Sequence, residues 1–257
     1  MTLERQRQGK VEILRLNRPD ARNAIDPDTA RAIERALDDV ESDPSVWCIV
    51  LTGTGPVFCA GADLKVVASG RGADIMTERG GFAGLVERDV TRPIVAAVNG
   101  PALAGGFEIA LACDLVVAAD DATFGLPEVK RGLLAAAGGP IRLARRIPLA
   151  VALEITLLGE PITAARAYDL GLVNRVVPRE RVLDEALAIA GRIIANSPTA
   201  VRGARQLVRG AADLDDAGAW ELSRRLMREV GAAPDAIEGA RAFVEKRDPI
   251  WADPSGS

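Results

Sequence analysis

Asn99-Gly100-Pro101-Ala102-Leu103-Ala104-Gly105-Gly106-Phe107-Glu108 is the stretch whose reading decides the fold. It leaves the apolar run Ile94-Val95-Ala96-Ala97-Val98 and enters the apolar segment Ile109-Ala110-Leu111-Ala112. A strand, a glycine turn and a helix start follow one another. Such a junction exposes unpaired N–H groups at the positive end of a helix dipole. Donors arranged in this way can stabilise an oxygen that becomes negative during a reaction. Glu108 falls in the first helical turn. Taken alone it has two readings: a catalytic carboxylate, or an acid favoured there only by the dipole.

Two more segments have the same character. Phe58-Cys59-Ala60-Gly61-Ala62-Asp63-Leu64 follows a buried strand that ends at Thr52-Gly53, and its small residues let another group approach the backbone closely. They could equally fill a tight corner. Phe124-Gly125-Leu126-Pro127-Glu128-Val129 places a second glutamate after a proline-fixed turn, where it is either functional or an exposed turn acid. The chain has no histidine. Acid–base chemistry near neutral pH therefore falls to other groups, and a tuned pair of carboxylates is the natural solution.

Working outward, Val11-Glu12-Ile13-Leu14-Arg15-Leu16 alternates with period two and reads as a half-buried strand. Asn17-Arg18-Pro19-Asp20 is a turn. Asp26-Pro27 reads as an N-cap with proline at N1, opening a helix to Ser42 whose Ala30, Ile33, Leu37 and Val40 share a face. The runs 47–52, 94–98 and 115–118 are short, continuous and apolar. Alternating with helices, they predict a sheet covered on both faces. The stretch 68–87 carries five glycines and little periodicity, and predicts a mobile loop with a short helix in it. The second half reads as helices: 149–158, 163–171 (Thr163 as N-cap, Gly171 as C′), 180–196, 198–210, 216–231 and 234–246. The tail Asp253-Pro254-Ser255-Gly256-Ser257 predicts a frayed end.

Composition removes several classes. With 257 residues, 48% apolar and 26% charged, the chain has an ordinary globular balance. Its net charge is −4 and its basic residues are dispersed, so no nucleic-acid partner is expected. Arg142, Arg145 and Arg146 form the densest basic patch, which reads as a solvated helix face. No run approaches the ~18 apolar residues of a membrane span. Met1-Thr2-Leu3-Glu4-Arg5 lacks an apolar signal region, so a cytoplasmic protein without a membrane partner is expected. Cys48, Cys59 and Cys113 show neither metal-ligand nor disulfide spacing, which predicts buried reduced thiols and no metal.

Together the three motifs resemble the crotonase superfamily, also called the enoyl-CoA hydratase/isomerase family. The resemblance spans essentially the whole chain. It adds Leu16-Asn17-Arg18-Pro19, Ala21-Arg22-Asn23-Ala24, Cys113-Asp114-Leu115, Gly138-Gly139-Pro140-Ile141-Arg142-Leu143, Gly171-Leu172-Val173-Asn174-Arg175-Val176-Val177 and Glu238-Gly239-Ala240-Arg241-Ala242-Phe243-Val244-Glu245-Lys246-Arg247. It implies an α/β fold, a crotonase-like spiral of ββα units over 1–195, with a helical trimerisation region over 196–257. The implied assembly is a homotrimer or a hexamer of paired trimers. The exposed apolar content expected of Leu207, Leu214, Trp220, Leu222, Leu226, Met227, Val230 and Phe243 agrees with an oligomer.

The resemblance also implies roles. Glu108 and Glu128 match the two catalytic glutamates of the hydratases. The N–H groups of Ala62 and Gly105 match the oxyanion hole that holds a thioester carbonyl. Arg22, Ala24, Ala60, Asp63, Leu64 and Lys65 match coenzyme A contacts, joined by Phe243 and Lys246 from a neighbouring subunit. The implied reaction is hydration of a trans-2-enoyl-CoA, with coenzyme A as part of the substrate and no separate cofactor. The alternatives are another reaction on the same fold, such as enoyl-CoA isomerisation or dehydration of a specialised hydroxyacyl-CoA, and a CoA- or RNA-binding protein with vestigial activity. Two departures stand out: Gly132-Leu133-Leu134-Ala135-Ala136-Ala137 replaces a segment that usually contains proline, and Asp20 stands where lysine is frequent.

Overall fold

A computed structural model describes residues 1–252; the frayed end expected at 253–257 lies outside the described residues. The chain opens with a hairpin, β1 (Leu3–Gln8) and β2 (Val11–Leu16), turning at Gly9 with φ +58°. Helix α1 (Pro27–Ser42) begins as its sequence predicts, with the Asp26 carboxylate accepting from the Thr29 N–H at 2.8 Å. Ala30, Ile33, Leu37 and Val40 are all buried. Removing each of the larger side chains from water contributes about 1.5–3 kcal/mol before entropy is counted.

After β3 (Cys48–Gly53) come a short α2 (Leu64–Ala68), a 3-10 turn and a small hairpin of β4 (Met76–Thr77) and β5 (Gly81–Phe82). β6 (Ile94–Val98), β7 (Ala102–Leu103), α3 (Gly105–Ala112), β8 (Leu115–Ala119) and β9 (Thr123–Gly125) form the central part. They are followed by α4 (Gly139–Arg146), α5 (Leu149–Leu158), β10 (Ile162–Thr163), α6 (Ala164–Asp169) and β11 (Arg175–Val177). Four helices end the chain: α7 (Val182–Ile194), α8 (Pro198–Ala211), α9 (Asp216–Gly231) and α10 (Pro234–Glu245).

The main sheet has the order β1-β2-β3-β6-β8-β11, parallel throughout except for the β1–β2 hairpin. β3 and β6 are buried at every position, as expected for parallel strands covered on both faces. A second, three-stranded sheet runs β10-β9-β7. α7 packs on the main sheet through β3, β6 and β8. No helix among the described residues is long and apolar enough to cross a membrane. All three cysteines are free and buried, and burial pushes their thiols up to about 12.

Three expectations change. β2 is buried on both faces, not on one: Glu12 is only 6% exposed because Arg5 of β1 pairs with it at 2.8 Å. The stretch 68–87 does hold a short helical turn, Gly72–Ile75, in a mostly exposed first half, but its second half is packed into the core: 80–86 are buried, with Ile75 beside them. Its glycines make close backbone turns; a methyl at Gly80 would lie 2.1 Å from the Gly84 carbonyl. Those turns break the periodicity that would have announced a packed segment. Finally, the arginine-bearing segment 139–146 is a helix, but its arginines do not form one solvated face. Arg142 is half-buried, and its guanidinium bonds the carbonyl oxygens of Ala137 and Val86.

Candidate functional site

Two backbone segments meet edge to edge and build the first half of the site. The chain from Phe58 to Ala62 runs beside the chain from Pro101 to Leu103, joined by a parallel bridge between Cys59 and Ala102 and by the Leu103 N–H donating to the Cys59 carbonyl at 3.0 Å. On its other side, Ala62 bridges Ile25. Gly61 has φ +89°, and a methyl there would lie 2.8 Å from the Gly105 nitrogen and 2.8 Å from the Ala104 Cβ. Only glycine allows this approach, by conformation and by space. A Cβ at Gly106 would fall 2.1 Å from the Cys59 carbonyl oxygen, and one at Gly105 would strike the Phe82 ring.

Ala104, the N-cap of α3, is strained at φ +52° and ψ −130°. An alanine in this region costs on the order of 1–3 kcal/mol. The surroundings hold it there: its N–H donates to the Gly125 carbonyl at 2.9 Å, and its carbonyl accepts the N–H groups of Phe107 and Glu108. The N–H groups of Ala62 and Gly105 donate no hydrogen bond among the described residues. Two unspent donors therefore flank the Gly61–Gly105 contact, one of them at a helix N-terminus.

The carboxylates converge because β7 and β9 are parallel neighbours, Ala102 opposite Phe124 and Leu103 opposite Gly125. The chain leaves β7 into α3 and leaves β9 into the 3-10 turn Pro127–Arg131. Glu108 and Glu128 thus start their turns on the same edge. The rings of Phe107 and Phe124, 5.4 Å apart, fix the two elements together.

Their environments differ. Glu108 is 3% exposed, and its Oε1 accepts the Gly139 N–H at 2.8 Å. A methyl on Gly139 would stand 2.9 Å from the Glu108 Cγ, so glycine is needed for that donation. Burial raises the Glu108 carboxyl above its ordinary range, against the N–H groups of Gly139 and Ala137 and the charge of Arg142. Glu128 is half-buried, and its buried Oε2 has no hydrogen-bond partner among the described residues. Burial pushes it up to about 7; its own N–H opposes the rise and the charge of Glu108 adds to it. In a coupled pair the proton goes to the member with less support for charge, which here is Glu128. The site can hold one carboxylate and one carboxylic acid at neutral pH.

Around this edge, Arg18 acts as a clasp: one terminal nitrogen pairs with Asp63 at 2.9 Å, Nε with Asp26 at 3.2 Å, and a third donation reaches the Ala24 carbonyl. Asn23 is buried at φ +55°, accepting from the Arg18 N–H and donating to the carbonyls of Thr54 and Val57. The Ala60 N–H donates to the Arg22 carbonyl at 3.0 Å, so Arg22, Ala24, Ala60 and Asp63 do come together. Asp63 is largely engaged internally. Against the upward push of burial, Arg18 and the Lys65 N–H hold its carboxyl below the ordinary range. Leu64 and Lys65 are exposed. Phe243 on α10 and Lys246, the C-cap just after it, are not brought into this group; α10 packs against α9, and Phe243 is 84% exposed. Sequence reasoning gave no role to Arg18, Asn23 or Gly139. The glycine pair followed by proline at 138–140 was the available signal for the last, because it opens a helix whose first N–H groups are free.

A model of the enoyl-CoA hydratase/isomerase family matches residues 6–254. Among curated proteins, the chain is 39% identical over 250 residues to the enoyl-CoA hydratase EchA19 of Mycobacterium tuberculosis, covering 95% of this chain and 94% of that one. It is 38% identical over 249 residues to the carnitinyl-CoA dehydratase of Proteus mirabilis, covering 95% of each. Among solved structures, an enoyl-CoA hydratase from Mycobacterium tuberculosis H37Rv superposes with a TM-score of 0.94 at 41% identity, covering 98% of this chain and 99% of that one. A carnitinyl-CoA hydratase from Mycobacterium avium gives 0.76 at 43% identity, with 97% and 98% covered.

Proposed function

The chain belongs to the enoyl-CoA hydratase/isomerase family, the crotonases, and we propose that it is an enoyl-CoA hydratase that adds water across the C2–C3 double bond of a trans-2-enoyl-CoA. The observation that carries this reading is the unequal carboxylate pair. Burial raises Glu108 too, but the N–H groups of Gly139 and Ala137 offset part of that rise, while Glu128 is pushed up to about 7 with an oxygen unpartnered among the described residues. Hydration needs both forms at once.

In this mechanism the thioester oxygen sits between the N–H groups of Ala62 and Gly105. A donor of this kind contributes about 2.7–4 kcal/mol, because its interaction strengthens as the carbonyl becomes an enolate. Glu108 accepts a hydrogen bond from the attacking water and turns its lone pair toward C3. Glu128 delivers its proton to C2, and the proton released by the water returns to the carboxylate pair. Atoms and charges balance with no redox step, so no cofactor enters; coenzyme A is part of the substrate. Arg22, Ala24, Ala60, Asp63, Leu64 and Lys65 form the coenzyme A side of the cleft, with Arg18 and Asn23 holding its shape.

The exposed apolar side chains of α9 and α10, among them Trp220, Met227 and Phe243, fit burial in a homotrimer or a hexamer. Phe243 and Lys246 would then reach a neighbour's coenzyme A. A second reading, dehydration of a specialised 3-hydroxyacyl-CoA, is favoured by the carnitinyl-CoA dehydratase relatives. It uses the same pair in reverse and differs only in the acyl group. Loss of the enoyl-thioester absorbance of crotonyl-CoA tests the leading reading. Binding without hydration would refute it, and a parallel assay with carnitinyl-CoA separates the second.

A further inference from the structure

One side chain outside the glutamate pair reaches both halves of the site's scaffold. Arg142, in the first turn of α4, donates from Nη1 to the Ala137 carbonyl at 3.2 Å and from Nη2 to the Val86 carbonyl. Gly138 makes room for it. That residue has φ +93°, and a methyl there would lie 2.1 Å from Nη1, so both the turn and the space call for glycine.

Each acceptor leads to a different part of the site. Ala137 belongs to the turn whose N–H groups at 137 and 139 support Glu108, that of Gly139 at 2.8 Å. Val86 is buried, and its N–H donates to the Phe82 carbonyl at 3.3 Å. The Phe82 ring in turn lies against Gly105: a methyl on Gly105 would stand 2.5 Å from the ring's Cε1 and Cζ. Gly105 and Glu108 share the first turn of α3. One guanidinium thus ties the turn that supports the carboxylate to the segment that backs the Gly105 donor.

The chemistry of the side chain suits that task. A planar fork of donors holds two acceptors at a fixed spacing, which the single nitrogen of a lysine does less rigidly. Among the described residues its hydrogen bonds go to carbonyl oxygens and not to a carboxylate, so no ion pair neutralises it. Burial and the like charges of Arg146 and Arg209 lower its pKa, while Glu108 and Cys113 oppose that change. A guanidinium stays protonated regardless. Its charge joins the N–H groups of Gly139 and Ala137 in opposing the rise that burial imposes on Glu108.

We infer that Arg142 is a positioning residue for the hydration: it holds the 137–139 turn and the 82–86 segment against α3, and through them the Glu108 carboxylate and the Gly105 N–H. This rests on the hydratase reading proposed above. Arg142 itself touches no reacting atom.

Arg142→Met tests the inference. Turnover of crotonyl-CoA should fall about 10²-fold, the effect of a displacement near ~1 Å. The Kd for acetyl-CoA should change less than about twofold, because the fork makes no contact with substrate. A second readout needs no turnover. The infrared carbonyl stretch of bound acetyl-CoA, isotopically labelled at the carbonyl, moves to lower frequency when donors polarise it, and that movement should shrink in the variant. If Arg142→Met does not fold, Arg142→Lys, which keeps the charge but not the fork, should lose about tenfold in turnover and part of the carbonyl movement. Arg145→Gln, on the same helix but paired with Asp213, should leave turnover within about twofold of the wild type. Wild-type protein that binds crotonyl-CoA without hydrating it would refute the hydratase reading, and the infrared comparison then decides on Arg142 alone. Undiminished turnover, an unaltered carbonyl stretch, a loss of binding as large as the loss of turnover, or an equal effect of Arg145→Gln would each overturn the assignment.

Discussion

Glu108 and Glu128 each begin a short helical turn on the same edge of the small sheet, yet the two turns treat them differently. The α3 turn buries its glutamate and surrounds it with N–H donors: Gly139 at 2.8 Å, with Ala137 beside it. The Pro127–Arg131 turn leaves one oxygen of its glutamate buried and without a partner among the described residues. Burial raises both carboxyls, but the N–H donors offset part of the rise at Glu108, while Glu128 is pushed up to about 7. Identical side chains thus acquire different protonation without a histidine, and the division of labour lies in the backbone around them.

The largest expected effect removes the difference on the acid side. Glu128→Gln keeps shape and burial but cannot give up a proton, so kcat should fall by about 10³-fold, within the range for general acids. Affinity for acetyl-CoA should change less than twofold. Equal losses in both would indicate a structural role instead. A smaller change breaks the comparison on the other side. Gly139→Ala puts a methyl 2.9 Å from the Glu108 Cγ and displaces the carboxylate from its donor. A displacement near 1 Å costs about 10²-fold in turnover. Unaltered turnover would show that the Gly139 contact is dispensable.

The third prediction concerns stability. The folded pKa of Glu128, about 7, lies above its unfolded value, so folding favours the protonated form. The wild type therefore keeps its full stability at acid pH and loses part of it as pH rises through 7. Glu128→Gln has no such loss. It should be more stable than the wild type by about 1–2 kcal/mol at pH 8.5, allowing for the partial exposure of the group, and nearly equal at pH 5. Urea unfolding at both pH values checks this; a pH-independent difference would contradict the shift. The smallest effect lies in the α3 turn itself. Ala104→Gly relieves the φ +52° strain and loses some unfolded-state advantage, for a net gain of about 1 kcal/mol. A lower melting temperature would mean that the alanine methyl contributes packing that outweighs its strain.

Much of this contrast was readable before the fold. The Asp26-Pro27 start of α1, the buried strand 94–98 and the helices 149–158 and 216–231 are written in local chemistry: caps, apolar runs and proline. The glutamates and their glycine turns were visible as motifs. The environment of each was not. Gly139 reaches Glu108 across 31 positions of chain, and no local pattern records that contact. The burial of Ile75 and of 80–86 was hidden for a related reason: Ile75, Phe82 and Ala83 enter the core through glycine turns and not along a periodic face. Arg205 and Arg142 were hidden by the same nonlocality. Helical spacing shows that arginines share a segment, but not that α4 turns Arg142 onto the carbonyls of Ala137 and Val86, or that α8 carries Arg205 to Asp114, the acid preceding β8.

The central claim is that Glu128 is the proton donor while Glu108 stays ionised. The pH dependence of kcat/KM for crotonyl-CoA hydration tests it most directly, since that ratio reports the free enzyme. Activity should fall as pH rises through about 7, where Glu128 loses its proton. A profile that stays flat from pH 6 to pH 9 would contradict the account.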